Sequence, residues 1–104
     1  MNIQINTDKN LTNSEEFKSW LTSLISDELV RYGENITRLE VHLSSEDGAK
    51  SRVPEIRSMI EARLEGQQPI AVTNHSDTNE RSVTGAIEKL KSLLETKQGR
   101  SKNY

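Results

Sequence analysis

Segment 58–94 constrains the fold most strongly, because two strand patterns, a turn and a helix pattern follow one another within it. Apolar and charged side chains alternate over residues 60–65, which predicts a strand with one buried face. Residues 66–69, Gly-Gln-Gln-Pro, interrupt this alternation, since glycine adopts positive φ and proline cannot donate within a central ladder. A second strand pattern over residues 70–75 then predicts an antiparallel hairpin.

A helix pattern completes this segment. Asp77, followed three residues later by Glu80, resembles a capping box and predicts the start of the helix. Five apolar residues recur at helical spacing and form one stripe: Val83, Ala86, Ile87, Leu90 and Leu94. A stripe of this kind needs the apolar face of a sheet to cover it.

The remaining residues predict one more helix and two more strands. Residues 2–6 and 36–44 show strand alternation, and the region between them has a wide apolar stripe after a cap at Thr12 or Asn13. The predicted fold is α+β in the order β-α-β-β-β-α, with a four-stranded mixed sheet and both helices packed on one face. We expect one domain over residues 1–98 and a flexible tail over 99–104, with the last helix ending before Gly99.

Composition narrows the class of protein. A chain of 104 residues that is 32% hydrophobic and 4% aromatic supplies one thin, largely aliphatic core. It contains no cysteine, its first ten residues do not resemble a signal peptide, and it has no apolar run of membrane-spanning length. These features predict a cytoplasmic protein without a membrane partner.

The charge is distributed unevenly. Residues 81–104 contain six basic and two acidic side chains, a balance of +4, whereas residues 1–80 have a balance of −6. An anionic partner would therefore bind the last helix and the tail, although the lysines can equally be solvating one helix face. Trp20 and Tyr32 are interpreted as edges of the core, because no basic cluster surrounds them.

Catalytic and metal-binding patterns have little support in this sequence. His42 and His75 are the only histidines, and His75 has one potential partner nearby in Asp77. An acid–base pair of His75 and Asp77 lacks a recognisable nucleophile, and Asp77 is already expected to cap the helix. We predict neither an enzyme nor a metal, cofactor or small-molecule site.

The strands ITRLEVHL, IEARLEG and PIAV and the helix GAIEKLKSLLE, in this order, resemble the ribosome hibernation-promoting factors. This family includes ribosome-associated inhibitor A and is often labelled sigma-54 modulation protein. The resemblance extends from Ile3 to about Lys97 and is to a short form without the second, dimer-forming domain. It implies that the protein binds the rRNA of the small ribosomal subunit near the decoding and tRNA sites and keeps idle ribosomes inactive.

The resemblance also implies which residues bind rRNA. Basic side chains of both helices contact phosphates in such proteins, and the matching or neighbouring positions here are Lys89, Lys91, Lys97, Arg100 and Lys102. The first helix departs from the pattern, since Asp27 and Glu28 stand where relatives usually have basic residues. A protein-interaction module that has kept the fold and lost rRNA binding is therefore the alternative hypothesis. The protein is expected to be a monomer away from the ribosome.

Overall fold

The computed structural model describes residues 1–8, 14–45 and 55–102, with side chains described as far as Thr96. Its elements are β1 (Asn2–Thr7), α1 (Glu15–Glu28), β2 (Ile36–Ser45), β3 (Ile56–Leu64), β4 (Ile70–Ser76) and α2 (Asn79–Lys102). A short 3-10 helix (Val30–Tyr32) follows α1. The predicted order β-α-β-β-β-α is confirmed.

The four strands form one mixed sheet in the order β1-β2-β3-β4. β1 pairs with β2 in parallel, with Ile5 beside Val41, because α1 carries the chain back to the same end of the sheet. The other two pairings are antiparallel, and Ile60 on β3 lies between Val41 and Val72. The predicted mixture of parallel and antiparallel pairs is confirmed.

One face of this sheet provides the core. Leu39, Val41 and Leu43 point toward the helices from β2, and the buried residues of both helices belong to the same hydrophobic cluster. The intervening residues of β2, including Glu40 and His42, lie on the opposite face, as the strand period of two requires. Both helices therefore cover one face, as predicted, and the charged face of the sheet meets solvent.

Both helices start later than the sequence predicts, α1 by one or two residues and α2 by one. Ser14 caps α1, because its Oγ accepts a hydrogen bond from the backbone N–H of Phe17 (3.1 Å). Thr78 caps α2 in the same way, with its Oγ1 accepting from the N–H of Arg81 (3.1 Å). Asp77 precedes this cap, so its predicted capping role is wrong, whereas the predicted caps of α1 at positions 12 and 13 lie outside the described residues.

The end of α2 also differs from the prediction. The helix continues to Lys102 instead of ending before Gly99, because a glycine in a helix interior costs only about 1 kcal/mol relative to alanine. The division into a domain over residues 1–98 and a tail over 99–104 stays a prediction.

The turn between β3 and β4 depends on Gly66. Its φ is +70°, a left-handed value that glycine adopts readily and most other residues do not. The N–H of Gln67 donates to the carbonyl oxygen of Leu64 (3.2 Å) and closes the turn. The hairpin predicted from the Gly-Gln-Gln-Pro segment is confirmed.

Buried serines attach α2 to the sheet. The hydroxyl of Ser82 donates to the carbonyl oxygen of Ile56 (2.8 Å), and that of Ser58 donates to the carbonyl oxygen of Ser82 (2.8 Å). The side-chain amide of Asn74 also donates to this Ser82 carbonyl (3.0 Å). Gly85 allows the close approach, because a Cβ at this position would lie 2.1 Å from the Asn74 amide nitrogen.

Candidate nucleic-acid interface

Lys89 lies on the exposed side of α2, but its ammonium group already makes a hydrogen bond within the protein. Its Nζ donates to the backbone carbonyl oxygen of Thr73 on β4 (2.8 Å). Because a lysine ammonium has three donor hydrogens, two remain available for a phosphate. The position is accessible to an anion, which would share Lys89 with the edge strand.

Lys91 is half-buried and faces α1. Its Nζ lies 3.8 Å from Oε2 of Glu28, so a carboxylate of the first helix partly neutralises this candidate cation. The sequence suggests Glu88 and Glu95 as neutralising partners because they lie within one helical turn of Lys91. The ion pair instead crosses between the two helices, which local spacing cannot reveal.

A second contact joins α2 to the 3-10 helix that follows α1. The hydroxyl of Tyr32 donates to Oε1 of Glu95 (3.0 Å), while its ring is buried in the core. Burial raises the pKa of the Tyr32 phenol above its ordinary value, and the hydrogen bond to the Glu95 carboxylate raises it further. Tyr32, interpreted from the sequence as an edge of the core, lies within the core with 2% of its surface exposed. Its hydrogen bond to Glu95 anchors the 3-10 helix to α2.

The backbone of α2 carries the other three predicted site residues, Lys97, Arg100 and Lys102. Their side chains lie outside the described part of the structure. At about 100° per residue, positions 97 and 100 lie within roughly 80° of position 89 around the helix axis, while positions 91 and 102 lie together on another flank. The helix thus divides the five candidates into two groups.

Acidic residues outnumber basic ones on the described parts of the two helices. The last turn of α1 contains no basic residue. The carboxylates within residues 15–28 and 79–96 are Glu15, Glu16, Asp27, Glu28, Glu80, Glu88 and Glu95, and the cations are Lys18, Arg81, Lys89 and Lys91. These helix surfaces do not form a continuous basic patch over the described residues.

The open face of the sheet contains arginines that are paired with carboxylates. Arg38 lies beside Arg63 on the neighbouring strand, and Glu40 lies beside Glu61. Each arginine approaches the glutamate two residues away on its own strand, with Nε–Oε distances of 3.4 Å in both pairs. The positive charges of these two arginines are thus compensated locally, as those of Lys91 and Arg81 on α2 are.

The histidines do not assemble a reactive site among the described residues. Nε2 of His42 lies 3.6 Å from Oε1 of Glu40 on the open face of the sheet. Asp77, the proposed partner of His75, is paired with Arg81 (3.4 Å). The described residues contain no group of three or more side chains suited to hold a metal ion.

None of the described helices is long and apolar enough to span a membrane.

The fold is a small two-layer α+β domain with charged side chains exposed on both helices. The sequence model of the family described as Sigma 54 modulation protein / S30EA ribosomal protein matches residues 3–102. The chain belongs to this family, as the resemblance predicted. No curated protein sequence matches the chain.

Solved structures share the fold at low sequence identity. The N-terminal domain of Protein Y from Thermus thermophilus is 20% identical, with a TM-score of 0.72 over 92% of this chain and 98% of that one. A ribosomal subunit interface protein from Coxiella burnetii is 17% identical, with a TM-score of 0.71 over 95% of this chain and 99% of that one. At such identities the likeness extends to the fold alone.

Proposed function

We propose that this protein is a non-enzymatic translation regulator that binds the rRNA of the small ribosomal subunit and keeps idle ribosomes inactive. The observation that carries the proposal is the family match over residues 3–102, nearly the whole chain. The family's description includes a ribosomal protein, and one structure with this fold is described as a ribosomal subunit interface protein. The protein acts in the cytoplasm, where ribosomes are found, and is a monomer when it is not bound to one.

The rRNA-binding surface is α2, through Lys89, Lys91, Lys97, Arg100 and Lys102. Two features support this choice over the open face of the sheet. Residues 81–104 have a charge balance of +4, and Lys89 is exposed. Each lysine or arginine that contacts a phosphate releases condensed counterions, so the affinity falls as salt is added.

Cosedimentation with small ribosomal subunits over a salt series tests this proposal. The double variant Lys89→Gln/Lys91→Gln should weaken binding and reduce the slope of log affinity against log salt by roughly 1.5, since each phosphate contact contributes about 0.7–0.9. The matched control is Arg38→Gln/Arg63→Gln, which removes the same charge from the open face of the sheet and should leave the slope unchanged. Absence of cosedimentation at the lowest salt concentration would refute ribosome binding.

The alternative function is a protein-interaction module without an rRNA role. It is favoured by one observation, the pairing of Lys91 with Glu28 in a helix pair that is acidic over its described residues. In that case a pull-down recovers a protein partner that resists nuclease treatment. Charge reversal at Lys89 and Lys91 would then leave the recovery of this partner unchanged.

A further inference from the structure

A cleft lies where the first turns of α1 and α2 meet, away from the predicted rRNA-binding residues. It encloses about 360 Å³ and is lined by Ser14, Glu16, Phe17, Trp20 and Glu80. The rings of Phe17 and Trp20 have centroids 5.7 Å apart and planes inclined by 31°. Trp20 keeps 40% of its surface exposed. The cleft therefore has an aromatic wall open to solvent.

The rim of this cleft is acidic. Glu16 and Glu80 are exposed, and the ion pairs between described residues include neither carboxylate. The neighbouring cation, Arg81, is paired with Asp77 instead (3.4 Å). Each helix start contributes a partial positive charge of about one half, which two full carboxylate charges exceed. The cleft thus combines an exposed tryptophan ring with a net negative rim.

Aromatic faces next to carboxylates are suited to bind a cation. The negative face of an aromatic ring attracts an ammonium or guanidinium group and contributes about two- to thirtyfold in affinity, depending on how far the contact is desolvated. Arginine suits such a site better than lysine, because its planar guanidinium stacks on a ring and bonds a carboxylate with two parallel hydrogen bonds. A nucleic-acid backbone is disfavoured, since its phosphates would meet the carboxylates of Glu16 and Glu80.

We propose that this cleft binds an arginine side chain in a basic segment of a partner protein. The guanidinium stacks on Trp20 and bonds Glu16 and Glu80, while the rest of the basic segment follows the acidic first turn of α1, which also contains Glu15. This inference is independent of the ribosome proposal, because it concerns a different surface and a different class of ligand.

Trp20 is the only tryptophan in the chain, so its fluorescence reports on the cleft directly. We expect a hexa-arginine peptide to change the emission of Trp20 saturably. The double variant Glu16→Gln/Glu80→Gln should bind this peptide about tenfold more weakly, equivalent to about 1.4 kcal/mol. The matched control Asp27→Asn/Glu88→Gln removes one exposed carboxylate from each helix outside the cleft and should stay within about twofold of the unaltered protein. Thermal unfolding of each variant checks that it is folded.

Three results would overturn this proposal. The first is an emission of Trp20 that does not change saturably with the peptide. The second is equal weakening in the two double variants, which would mean non-specific attraction to an acidic protein. The third is tighter binding of oligouridylate than of the peptide at Trp20, which would identify the cleft as a base-stacking platform for RNA.

Discussion

Replacing Gly85 by alanine tests how closely α2 approaches β4. An added Cβ would lie 2.1 Å from Nδ2 and 2.8 Å from Cγ of Asn74, whereas non-bonded carbon atoms prefer about 3.5–4.0 Å. The side chain of Asn74 therefore has to rotate away. By doing so it loses the hydrogen bond from its amide to the carbonyl oxygen of Ser82 (3.0 Å). The Ser82 carbonyl stays satisfied, because the hydroxyl of Ser58 also donates to it.

Two opposing contributions determine the change in the free energy of unfolding. Overpacking together with the lost hydrogen bond costs about 2 kcal/mol, since inserted methyl groups typically cost about 1–3 kcal/mol in a packed region. Alanine in place of glycine within a helix returns about 1 kcal/mol. We therefore expect Gly85→Ala to destabilise the protein by about 1 kcal/mol, although the same change is stabilising at an ordinary helix position.

The sign of this effect should reverse when Asn74 is removed. In the background of Asn74→Ala the clash is absent, so Gly85→Ala should stabilise the protein by about 1 kcal/mol, a coupling energy of about 2 kcal/mol between the two positions. Urea unfolding of the four proteins measures this coupling if the m-value is constant. Replacing Thr84, which is exposed on the same helix, by alanine and by glycine measures how much the helix propensities of these two residues differ. Equal effects of Gly85→Ala in both backgrounds would refute the reasoning.

Three further predictions concern the helix pair and the hairpin. Glu28→Gln should free Lys91 and raise the affinity for small ribosomal subunits about twofold at low salt, with less than about 0.5 kcal/mol lost in stability; unchanged cosedimentation would contradict this. Tyr32→Phe should cost about 1 kcal/mol by removing the hydrogen bond to Glu95. Folding raises the pKa of the Tyr32 phenol above its ordinary value of about 10. The stability that the protonated phenol contributes is therefore complete below about pH 10 and is lost as the pH rises through the pKa of the folded state. In urea unfolding at alkaline pH, the phenylalanine variant should then lose less stability with rising pH than the unaltered protein does. Gly66→Ala should cost about 1 kcal/mol through backbone strain alone, because the added methyl group has no neighbour within 4 Å, and Gly66→Asn should cost less; equal stabilities on urea unfolding would contradict this.

The order of elements could be predicted because it depends on local periodicity. Leu39, Val41 and Leu43 alternate with polar residues, and burial of one strand face follows directly from that pattern. The stripe beginning at Val83 likewise identifies the buried side of α2. Since each strand has one apolar face, both helices have to cover the same side.

The sequence could not predict contacts that depend on how the helices cross the sheet. Ser58 and Ser82 are fully buried, although serine is usually exposed, and only their meeting across α2 and β3 provides the hydrogen bonds that make this burial favourable. Lys91 pairs with Glu28, a residue far away in sequence. The caps at Ser14 and Thr78 were missed by one or two residues, because neighbouring polar residues are equally good caps by type.

The candidate site was predictable only as a set of positions. The basic character of residues 81–104 can be read from the sequence. The hydrogen bond from Lys89 to Thr73 cannot, because it forms only when β4 lies beneath α2 in the folded protein. Exposure of Trp20 beside Glu80 has no signal in the sequence, since it depends on where the starts of the two helices meet. An apolar residue at the rim of a helical stripe is compatible with either burial or exposure.

The strands lie in the sheet in the same order as in the chain, and this has a consequence for folding. β3 and β4 are antiparallel and separated by only five residues, so their pairing closes a short loop and carries a small entropic penalty. β1 pairs in parallel, and its place beside β2 requires the crossover through α1 to be in position. We therefore expect β1 to join the sheet after β2, β3 and β4 have paired.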